Sequence, residues 1–334
     1  MDDRQPTLRD VAEAAGVAVS TASRALSRPG RISPRTEARV RDAADRLGYT
    51  PSASARALSS GRTSTVALVV PDVTNPFYFG LVRGTGARLR ETGYVQVLVD
   101  TEESAEAEAR ALAGLRGTVD GAILASSRLD DDRLVRLASE LPVVTVNRTV
   151  PGGAAPGVVL DTPSGIVQAL EHLASLGHTR VAYAAGPRTS WSDSRRRAVL
   201  EPAAARLGLD VTVLGPYAPL RTAGPAAADA ALQAQVTALV AFNDLLAFGV
   251  LERLEARGVP VPDQLSVVGC DDVFGADLVR PRLTTVALPM ERAGRHAADL
   301  LVARLSGLGA PPGDPVVLPT HLVIRASTGP APVR

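Results

Sequence analysis

The sequence has no lysine among its 334 residues and a single cysteine, Cys270. Without lysine, every contact with phosphate has to come from arginine, backbone amides, hydroxyls or helix termini. One cysteine excludes an intramolecular disulfide and a zinc site built from several cysteines. The chain also has no apolar run long enough to cross a membrane and no apolar signal region at its start, which predicts a cytoplasmic protein.

Charge is spread unevenly along the chain, although the net charge is only +1. Residues 1–62 contain eleven arginines against seven acidic residues, and the remaining residues are acidic in compensation. A local excess of positive charge is what phosphate contacts require. We attribute the missing lysine to a GC-rich genome, which also favours Ala, Gly and Pro, and the arginine clustering to function. The length predicts two or three domains.

Two short helical patterns lie near the start of the chain and are joined at Gly16. Thr7 can cap the first helix, and Asp10 places a carboxylate near the positive end of its dipole. The apolar residues that share one face of this helix are Leu8, Val11, Ala12 and Ala15. Gly16 can supply the left-handed conformation that ends a helix. The pattern predicts a helix-turn-helix.

The second helical pattern, over residues 19–26, combines an apolar back with a polar face. The back is formed by Val19, Ala22, Ala25 and Leu26, and the polar face by Ser20, Thr21, Ser23 and Arg24. Small side chains allow close approach to a major groove, where an arginine can bind guanine O6 and N7 through two hydrogen bonds. We interpret this helix as a DNA reader; the alternative is a helical hairpin with a solvated serine and threonine face.

A third helix is predicted to begin at Ser33, with the hydroxyl as its cap and Pro34 at the first helical position, and to end at Gly48. Residues 49–51 then break the helical pattern. The following residues, 52–61, have few large apolar groups, so we do not expect a stable helix from them alone.

From Thr65 onward, apolar segments of strand length alternate with intervals of helix length. The predicted strands are residues 66–70, 93–99, 121–124, 143–146, 181–183, 239–241 and 265–268. Apolar strands that alternate with helices predict parallel sheets covered on both faces. Ligands of such sheets bind beyond the carboxyl ends of the strands.

Polar side chains follow several predicted strands directly. They are Asp72 and Asn75 after the first strand, Asn147 and Arg148 after the fourth, Asn243 and Asp244 after Phe242, and Asp271 and Asp272 after Gly269. These groups can make paired hydrogen bonds to sugar hydroxyls, and Phe77, Trp191 and Phe242 can cover apolar ring faces. The alternative for an Asn-Asp pair at a strand end is a turn or a helix cap.

Eight ordered motifs extend along the chain. They are TLRDVA at 7–12, VSTASRAL at 19–26, LGYTP at 47–51, ARAL at 55–58, VVPDVTNPF at 69–77, LASLGH at 173–178, FND at 242–244 and LSVVGCDD at 265–272. Together they resemble the lactose repressor (LacI/GalR) family of bacterial transcription factors. The resemblance implies an α/β fold with a three-helix helix-turn-helix headpiece at residues 1–50, a hinge helix or linker at 51–62, and an effector-binding and dimerisation domain at 63–334.

The resemblance also divides this last domain into two lobes with parallel sheets, as in periplasmic sugar-binding proteins. One lobe would contain about residues 63–161 and 290–317, and the other about residues 162–289 and 318–334. It further implies a DNA-binding set, which is Thr7, Val19, Ser20, Thr21, Ser23, Arg24, Ser33, Tyr49, Ala55 and Leu58. Val19, Ser20 and Arg24 would read bases, whereas Leu58 would wedge between base pairs in the minor groove.

The implied effector-binding set is Asp72, Phe77, Asn147, Trp191, Arg196, Phe242, Asn243 and Asp271. Val199 and Leu200 stand where the family has a glycine and then an aromatic residue, so the choice among Arg195, Arg196 and Arg197 stays open. A solvated arginine cluster is the alternative. Leu288 replaces a frequent glutamine and Cys270 a frequent tyrosine, which makes this side of the pocket more apolar.

We therefore expect a homodimeric repressor with a palindromic operator and a sugar or sugar derivative as effector. One alternative is a corepressor ligand, and another is a sugar-binding transport component, which the headpiece argues against. No cofactor or metal is expected, and no enzymatic activity, because the four histidines are scattered and no nucleophile motif accompanies them.

Overall fold

A computed structural model of the chain describes residues 6–27, 30–49, 61–307 and 314–333. The chain divides into two compact units, Met1–Thr65 with Gly117–Asp120, and Val66–Arg116 with Gly121–Arg334. The predicted hinge, including Ala55 and Leu58, lies outside the described residues apart from its last two positions.

The described part of the first unit contains three helices, α1 (Leu8–Ala14), α2 (Val19–Ser27) and α3 (Pro34–Leu47). Thr7 and Asp10 form a reciprocal capping box at the start of α1, and Ser33 caps α3. Gly48 ends α3 with a φ of 66°, in the left-handed region. The predicted caps are confirmed. The core of this unit is small and consists of Val11, Ala12, Ala15, Ala22, Ala25, Val40, Ala43 and Ala44.

The second unit is built on two six-stranded sheets within the described residues. The strands are β1 (Thr65–Val70), β2 (Val95–Asp100), β3 (Gly121–Ala125), β4 (Val143–Val146), β5 (Gly157–Leu160), β6 (Arg180–Ala184), β7 (Asp210–Leu214), β8 (Ala238–Ala241), β9 (Ser266–Asp271), β10 (Thr284–Ala287), β11 (Val316–Leu318) and β12 (His321–Val323). The first sheet has the order β11-β5-β4-β3-β1-β2 and the second the order β12-β10-β9-β8-β6-β7. The central pairs are parallel, and β12 is antiparallel to β10.

Helices cover both sheets. They are α4 (Phe77–Glu91), α5 (Ala105–Leu115), α6 (Asp131–Glu140), α7 (Thr162–Ser175), α8 (Trp191–Arg197), α9 (Leu200–Leu207), α10 (Gly224–Gln233), α11 (Asp244–Ala256) and α12 (Met290–Leu305), with short 3₁₀ turns at Pro151–Gly153 and Arg221–Ala223. Every residue of β3, β4 and β8 is buried, as expected for parallel strands covered on both faces. No described helix is both long and apolar enough to cross a membrane.

The chain passes between the sheets three times. It leaves the first sheet after β5, returns to it with α12 and β11, and enters the second sheet again at β12. We call the first sheet with its helices the first lobe and the second sheet with its helices the second lobe. The lobe and domain limits expected from the sequence stay predictions. Five strands were not identified from the sequence patterns, namely β5, β7, β10 and the two short strands β11 and β12.

Candidate functional site

Helix α2 of the first unit presents an exposed polar face. Ala22 and Ala25 are buried against the core, whereas Ser20 and Arg24 are exposed and Thr21 and Ser23 are half-buried. Val19 was expected on the apolar back, but it is 44% exposed, so that part of the prediction is wrong. As the first residue of α2 it lies beyond the packed part of the helix, beside Ser20. The exposed face therefore combines one apolar side chain, one hydroxyl and one guanidinium.

The Arg24 guanidinium lies back along α2. Its Nε donates to the Ser20 carbonyl oxygen at 3.1 Å, and its Nη2 donates to Ser20 Oγ at 3.4 Å. A guanidinium has five N–H donors, so the remaining donors stay available for an external acceptor. This exposure and donor supply match what bidentate recognition of guanine needs.

The other predicted DNA-binding residues of this unit lie at helix ends. Thr7 and Ser33 cap α1 and α3, and the helix dipole at such a start favours an anion such as phosphate. Tyr49 is half-buried, and its ring packs against the small core. Ala55 and Leu58 are outside the described residues.

In the second unit, the carboxyl ends of strands from both lobes surround a small polar cavity, which we call the inner cavity. It is lined by Asn75, Phe77, Tyr78, Glu103, Ser126, Arg128, Asn147, Ser190, Ser192, Arg196, Pro219, Phe242, Asn243 and Asp271. Its volume is about 30 Å³. Ser126, Asn147 and Asp271 come from the ends of β3, β4 and β9, as the rule for parallel sheets predicts.

Six of the eight residues predicted to bind an effector line the inner cavity, namely Phe77, Asn147, Arg196, Phe242, Asn243 and Asp271. Asp72 and Trp191 do not. The Asp72 carboxylate instead accepts hydrogen bonds from the Thr74 amide at 2.8 Å and from Thr74 Oγ1 at 2.6 Å. Trp191 lies under the Arg195 guanidinium, with 5.8 Å between Arg195 Cζ and the ring centroid.

Two buried polar atoms of the inner cavity have no hydrogen-bond partner. They are Asn147 Oδ1 and Arg196 Nε, and their residues are only 4% and 2% exposed. In the described part of the chain only two other buried side-chain atoms share this condition, Glu108 Oε1 and Arg148 Nε. A buried polar atom without a partner costs about 1–3 kcal/mol. Two such atoms in one cavity are what a polar ligand would satisfy.

The backbone around this cavity is strained. Ser126, Asn147 and Glu103 have φ values of 47°, 57° and 58°, and Asp271 has a φ of 130°, a region that non-glycine residues rarely adopt. Strain of this kind costs about 1–3 kcal/mol per residue and clusters at ligand-binding positions. The clustering of strained residues at the inner cavity is a second indication of a ligand site, independent of the unpartnered atoms.

The structure distinguishes the three consecutive arginines of α8. Arg196 is buried, its Nη1 donates to the Phe242 carbonyl oxygen at 2.5 Å, and its Cζ lies 5.1 Å from the Phe242 ring centroid. Arg195 is exposed, and so is Arg197, whose Nε donates to Asp193 Oδ2 at 2.7 Å. Arg196 is therefore the one that faces the cavity.

Asn243 has a structural role as well as a place in the cavity. Its Oδ1 accepts from the Leu246 amide at 2.9 Å, which caps α11, and its Nδ2 donates to the Pro219 carbonyl oxygen at 2.9 Å. The helix-cap alternative is therefore what the structure shows for this residue. Leu288 is half-buried between the apolar cores of the two lobes, and Cys270 is fully buried.

Two carboxyls at the second lobe have perturbed acidity. Burial raises the pKa of Asp244 to about 6, opposed by hydrogen bonds from Thr285 Oγ1 and the Val273 amide. Burial, and then repulsion from Asp244, raise the pKa of Asp271 well above its ordinary range, against the attraction of Arg196. The charge of the inner cavity thus depends on the protonation of Asp271.

The sequence patterns missed several cavity residues of the first lobe. Ser126 follows β3 directly, and the strand-end rule would have identified it. Arg128 lies two residues further on and is buried; its Nε donates to Glu103 Oε2 at 2.7 Å. No local signal indicates that this pair turns inward. Among the described residues, no three His, Cys, Asp or Glu side chains are placed to share a metal ion.

Two family models match the chain. Residues 7–52 match the family described as bacterial regulatory proteins, lacI family, and residues 170–328 match a periplasmic binding protein-like domain. The HTH-type transcriptional regulator CelR of Thermobifida fusca is 37% identical over 339 residues, which cover 97% of this chain and 98% of that protein.

Solved structures show the same likeness over nearly the whole length. A complex of the transcriptional regulator CelR with cellobiose is 34% identical, with a TM-score of 0.72 and coverage of 96% of this chain and 99% of that chain. The lac repressor dimer bound to operator and the anti-inducer ONPF is 25% identical, with a TM-score of 0.85 and coverage of 98% and 100%. Similarity of this extent confirms the expected resemblance: the chain belongs to the lacI family of bacterial regulatory proteins, and it is a DNA-binding transcriptional regulator and not an enzyme.

Proposed function

We propose that the chain is a cytoplasmic, homodimeric repressor that a sugar releases from a palindromic operator. The main support for a sugar effector comes from the inner cavity. There Asn147 of the first lobe and Arg196 of the second lobe each have a buried polar atom without a hydrogen-bond partner. Sugar hydroxyls both donate and accept hydrogen bonds, so they can satisfy the two atoms together. The CelR complex with cellobiose supports this choice of ligand class.

The proposed reader of the operator is the exposed face of α2. Val19, Ser20 and Arg24 contact bases, and Thr21 and Ser23 contact phosphates, together with the capped helix starts at Thr7 and Ser33 and with Tyr49. Ala55 and Leu58 belong to the proposed hinge at 51–62, which enters the minor groove. The proposed headpiece is residues 1–50.

Dimerisation accounts for exposed apolar side chains in the second unit. They are Val73, Phe79, Val95, Val97 and Leu98 in the first lobe and Phe274 and Leu278 in the second. Val73, Phe79 and Leu98 line one apolar pocket of the first lobe, and a contiguous exposed apolar patch marks an interaction surface. The lac repressor dimer bound to operator supports two copies as the binding species.

An operator-binding titration tests the proposal. An operator selected from random DNA is bound by the full chain in a gel-shift assay, and mono- and disaccharides are then added. We expect at least one sugar to release the DNA; a sugar that tightens binding instead would make the ligand a corepressor, and no response to any sugar would contradict a sugar effector.

Variants separate the two sites in the same assay. Asn147→Leu should bind the operator normally but lose the response to the sugar, because the leucine can form no hydrogen bond in the cavity. The matched control is Arg195→Ala, which removes an exposed arginine one position from Arg196 and should leave the response intact. An Asn147→Leu protein that responds as the original does would contradict the assignment of the cavity.

A further inference from the structure

The Asp120 carboxylate binds Thr63 and Ser64, the first two residues after the proposed hinge at 51–62. Its Oδ1 accepts from the Thr63 amide at 2.6 Å and from Thr63 Oγ1 at 2.8 Å, and its Oδ2 accepts from the Ser64 amide at 2.9 Å. The Asp120 amide also donates to the Thr65 carbonyl oxygen at 2.8 Å. A residue 57 positions from Thr63 in the sequence thus holds this short segment through both its side chain and its backbone.

The backbone that Asp120 holds is strained at Ser64. The φ of Ser64 is 53°, in the left-handed region that non-glycine residues rarely adopt. Strain of this kind persists only where the surrounding structure over-determines it. Ser64 is exposed, so the constraint comes from hydrogen bonds: its amide donates to Asp120, and two weaker bonds of 3.3 Å join Thr63 to Thr65. Residues 63 and 64 therefore form a turn that one carboxylate fixes.

The pattern of donors around this turn requires a carboxylate at position 120. Three donors converge on its two oxygens, and both oxygens act as acceptors. A carboxylate is an acceptor only, and its charge strengthens such bonds, whereas a side-chain amide has one acceptor oxygen and one donor group. Asp120→Asn would therefore place an N–H group against the amide of either Thr63 or Ser64.

Asp120 directly precedes a rigid element. The next residue, Gly121, begins β3, which is buried along its whole length and pairs with β1 and β4. Buried core strands open only when the whole fold unfolds. On the other side of the turn, the chain continues into the proposed hinge. The turn at 63 and 64 therefore gives the hinge a fixed starting point.

We propose that Asp120 is a positioning residue for operator binding. By fixing residues 63 and 64 it sets the point from which each hinge of the dimer starts, and it acts on the operator through the hinge without touching DNA. A segment with a fixed start loses less conformational freedom when it binds, so release of the turn weakens specific binding. This inference rests on the proposed hinge at 51–62 and adds the residue that anchors it.

A comparison of operator and random DNA tests the inference with the full chain. Asp120→Asn should weaken binding to the selected operator about tenfold, because only a fraction of the molecules then presents both hinges correctly. Affinity for random DNA of the same length should stay within about twofold, since phosphate contacts supply that binding. A merely structural role, in which part of the protein unfolds, would weaken both alike.

The spacing of the operator half-sites gives a second measurement, which a structural role would not change. The original protein should discriminate against an operator with one base pair inserted at its centre, because a two-fold dimer requires a particular separation of its half-sites. Asp120→Asn should reduce this discrimination about threefold or more, because a hinge without a fixed start can reach both spacings.

Three variants serve as controls. Asp130→Asn removes the same charge from an exposed residue that caps α6, and it should change neither measurement. Thr63→Val removes one hydrogen bond to Asp120 at nearly constant shape and should cause a smaller loss than Asp120→Asn. Thr63→Ser keeps the hydroxyl and should bind as the original protein does.

The outcomes separate this inference from the proposed function. If the original protein prefers no selected DNA over random DNA, both the proposed repressor and this inference fail. If the original shows that preference and Asp120→Asn keeps it with full discrimination of spacing, the anchoring role of Asp120 is refuted and the repressor stands. Equal losses on operator and random DNA would also refute the role, because they indicate a loss of folded protein.

Discussion

Substitution of Gly84 by alanine should destabilise the second unit, because the backbones of α4 and α12 touch at this residue. A Cβ at Gly84 would collide with the Glu291 carbonyl oxygen and lie 3.0 Å from its carbon. The opposing helix also has a glycine there: a Cβ at Gly294 would lie 2.7 Å from the Leu81 carbonyl oxygen. Neither obstacle is a flexible side chain, so the helices would have to separate.

The expected magnitude follows from two opposing effects. Overpacking costs about 1–3 kcal/mol, and the rigid main chain on both sides puts Gly84→Ala at the upper end. Alanine is better than glycine in a helix by about 1 kcal/mol, which leaves a net loss of about 2 kcal/mol. The same packing accounts for glycine at both Gly84 and Gly294, where the two helices meet.

Gly114→Ala in α5 is the matched control, since it adds the same atom to a helix. Gly114 is exposed and a Cβ there would meet nothing within 4 Å, so we expect a gain of about 0.5–1 kcal/mol. Urea unfolding measures the stability of both variants. We expect a lower midpoint concentration of urea for Gly84→Ala and a higher one for Gly114→Ala, with an unchanged dependence of the unfolding free energy on urea concentration. A Gly84→Ala protein as stable as the original would refute the claim that the helices are in backbone contact.

Three further predictions concern the two units. Arg24→Ala should reduce discrimination between operator and random DNA by about 1–3 kcal/mol in a gel-shift competition, and unchanged discrimination would remove Arg24 from the base readers. Thr7→Ala should cost about 1 kcal/mol through loss of the capping box, seen as faster hydrogen exchange in the first turn of α1 and not in α3. In the folded state the buried Asp244 keeps its proton up to about pH 6, whereas in the unfolded state it loses the proton near pH 3.8. Its contribution to the free energy of unfolding is therefore complete below about pH 4 and is lost as the pH rises to about 6. The shift corresponds to about 3 kcal/mol, and Asp244→Asn should remove this slope; parallel stability curves of the two proteins from pH 4 to 7 would contradict it.

Most of the buried inner strands and the edge strand β2 could be predicted from the sequence, whereas the edge strands β7, β11 and β12 could not. A strand covered on both faces is a continuous apolar run, as in β3 and β8. The edge strand β7 has exposed and half-exposed residues throughout and gives no such run. The strand β10 fails for another reason: Thr284 and Thr285 are fully buried because their hydroxyls bond within the fold, for example from Thr285 Oγ1 to Asp244 at 2.6 Å.

The position of the site could also be predicted, but not every side chain in it. The strand-end rule selected Asn147 and Asp271, which line the inner cavity, and Asp72, which does not line it and accepts hydrogen bonds from Thr74. The helical period held further information about α8. Ser192 and Arg196 are four residues apart and both line the inner cavity, whereas Trp191 and Arg195 are four apart on the outer side and contact each other. This helical period predicts that Trp191 and Arg196 lie on different faces of α8, so that only one of them can face the inner cavity.

The two unpartnered atoms of the inner cavity also explain how a ligand can act on the arrangement of the lobes. Asn147 belongs to the first lobe and Arg196 to the second, so one ligand satisfies both only at a particular spacing of the lobes. Each satisfied atom relieves about 1–3 kcal/mol, and a ligand shifts an equilibrium only by its difference in affinity between the two states. A lobe arrangement that permits both bonds is therefore favoured by about 1–3 kcal/mol over one that permits a single bond, which equals the coupling free energy typical of allosteric proteins. We therefore expect the strength of the switch to depend on the bridge across the lobes, and not on the affinity for either lobe alone.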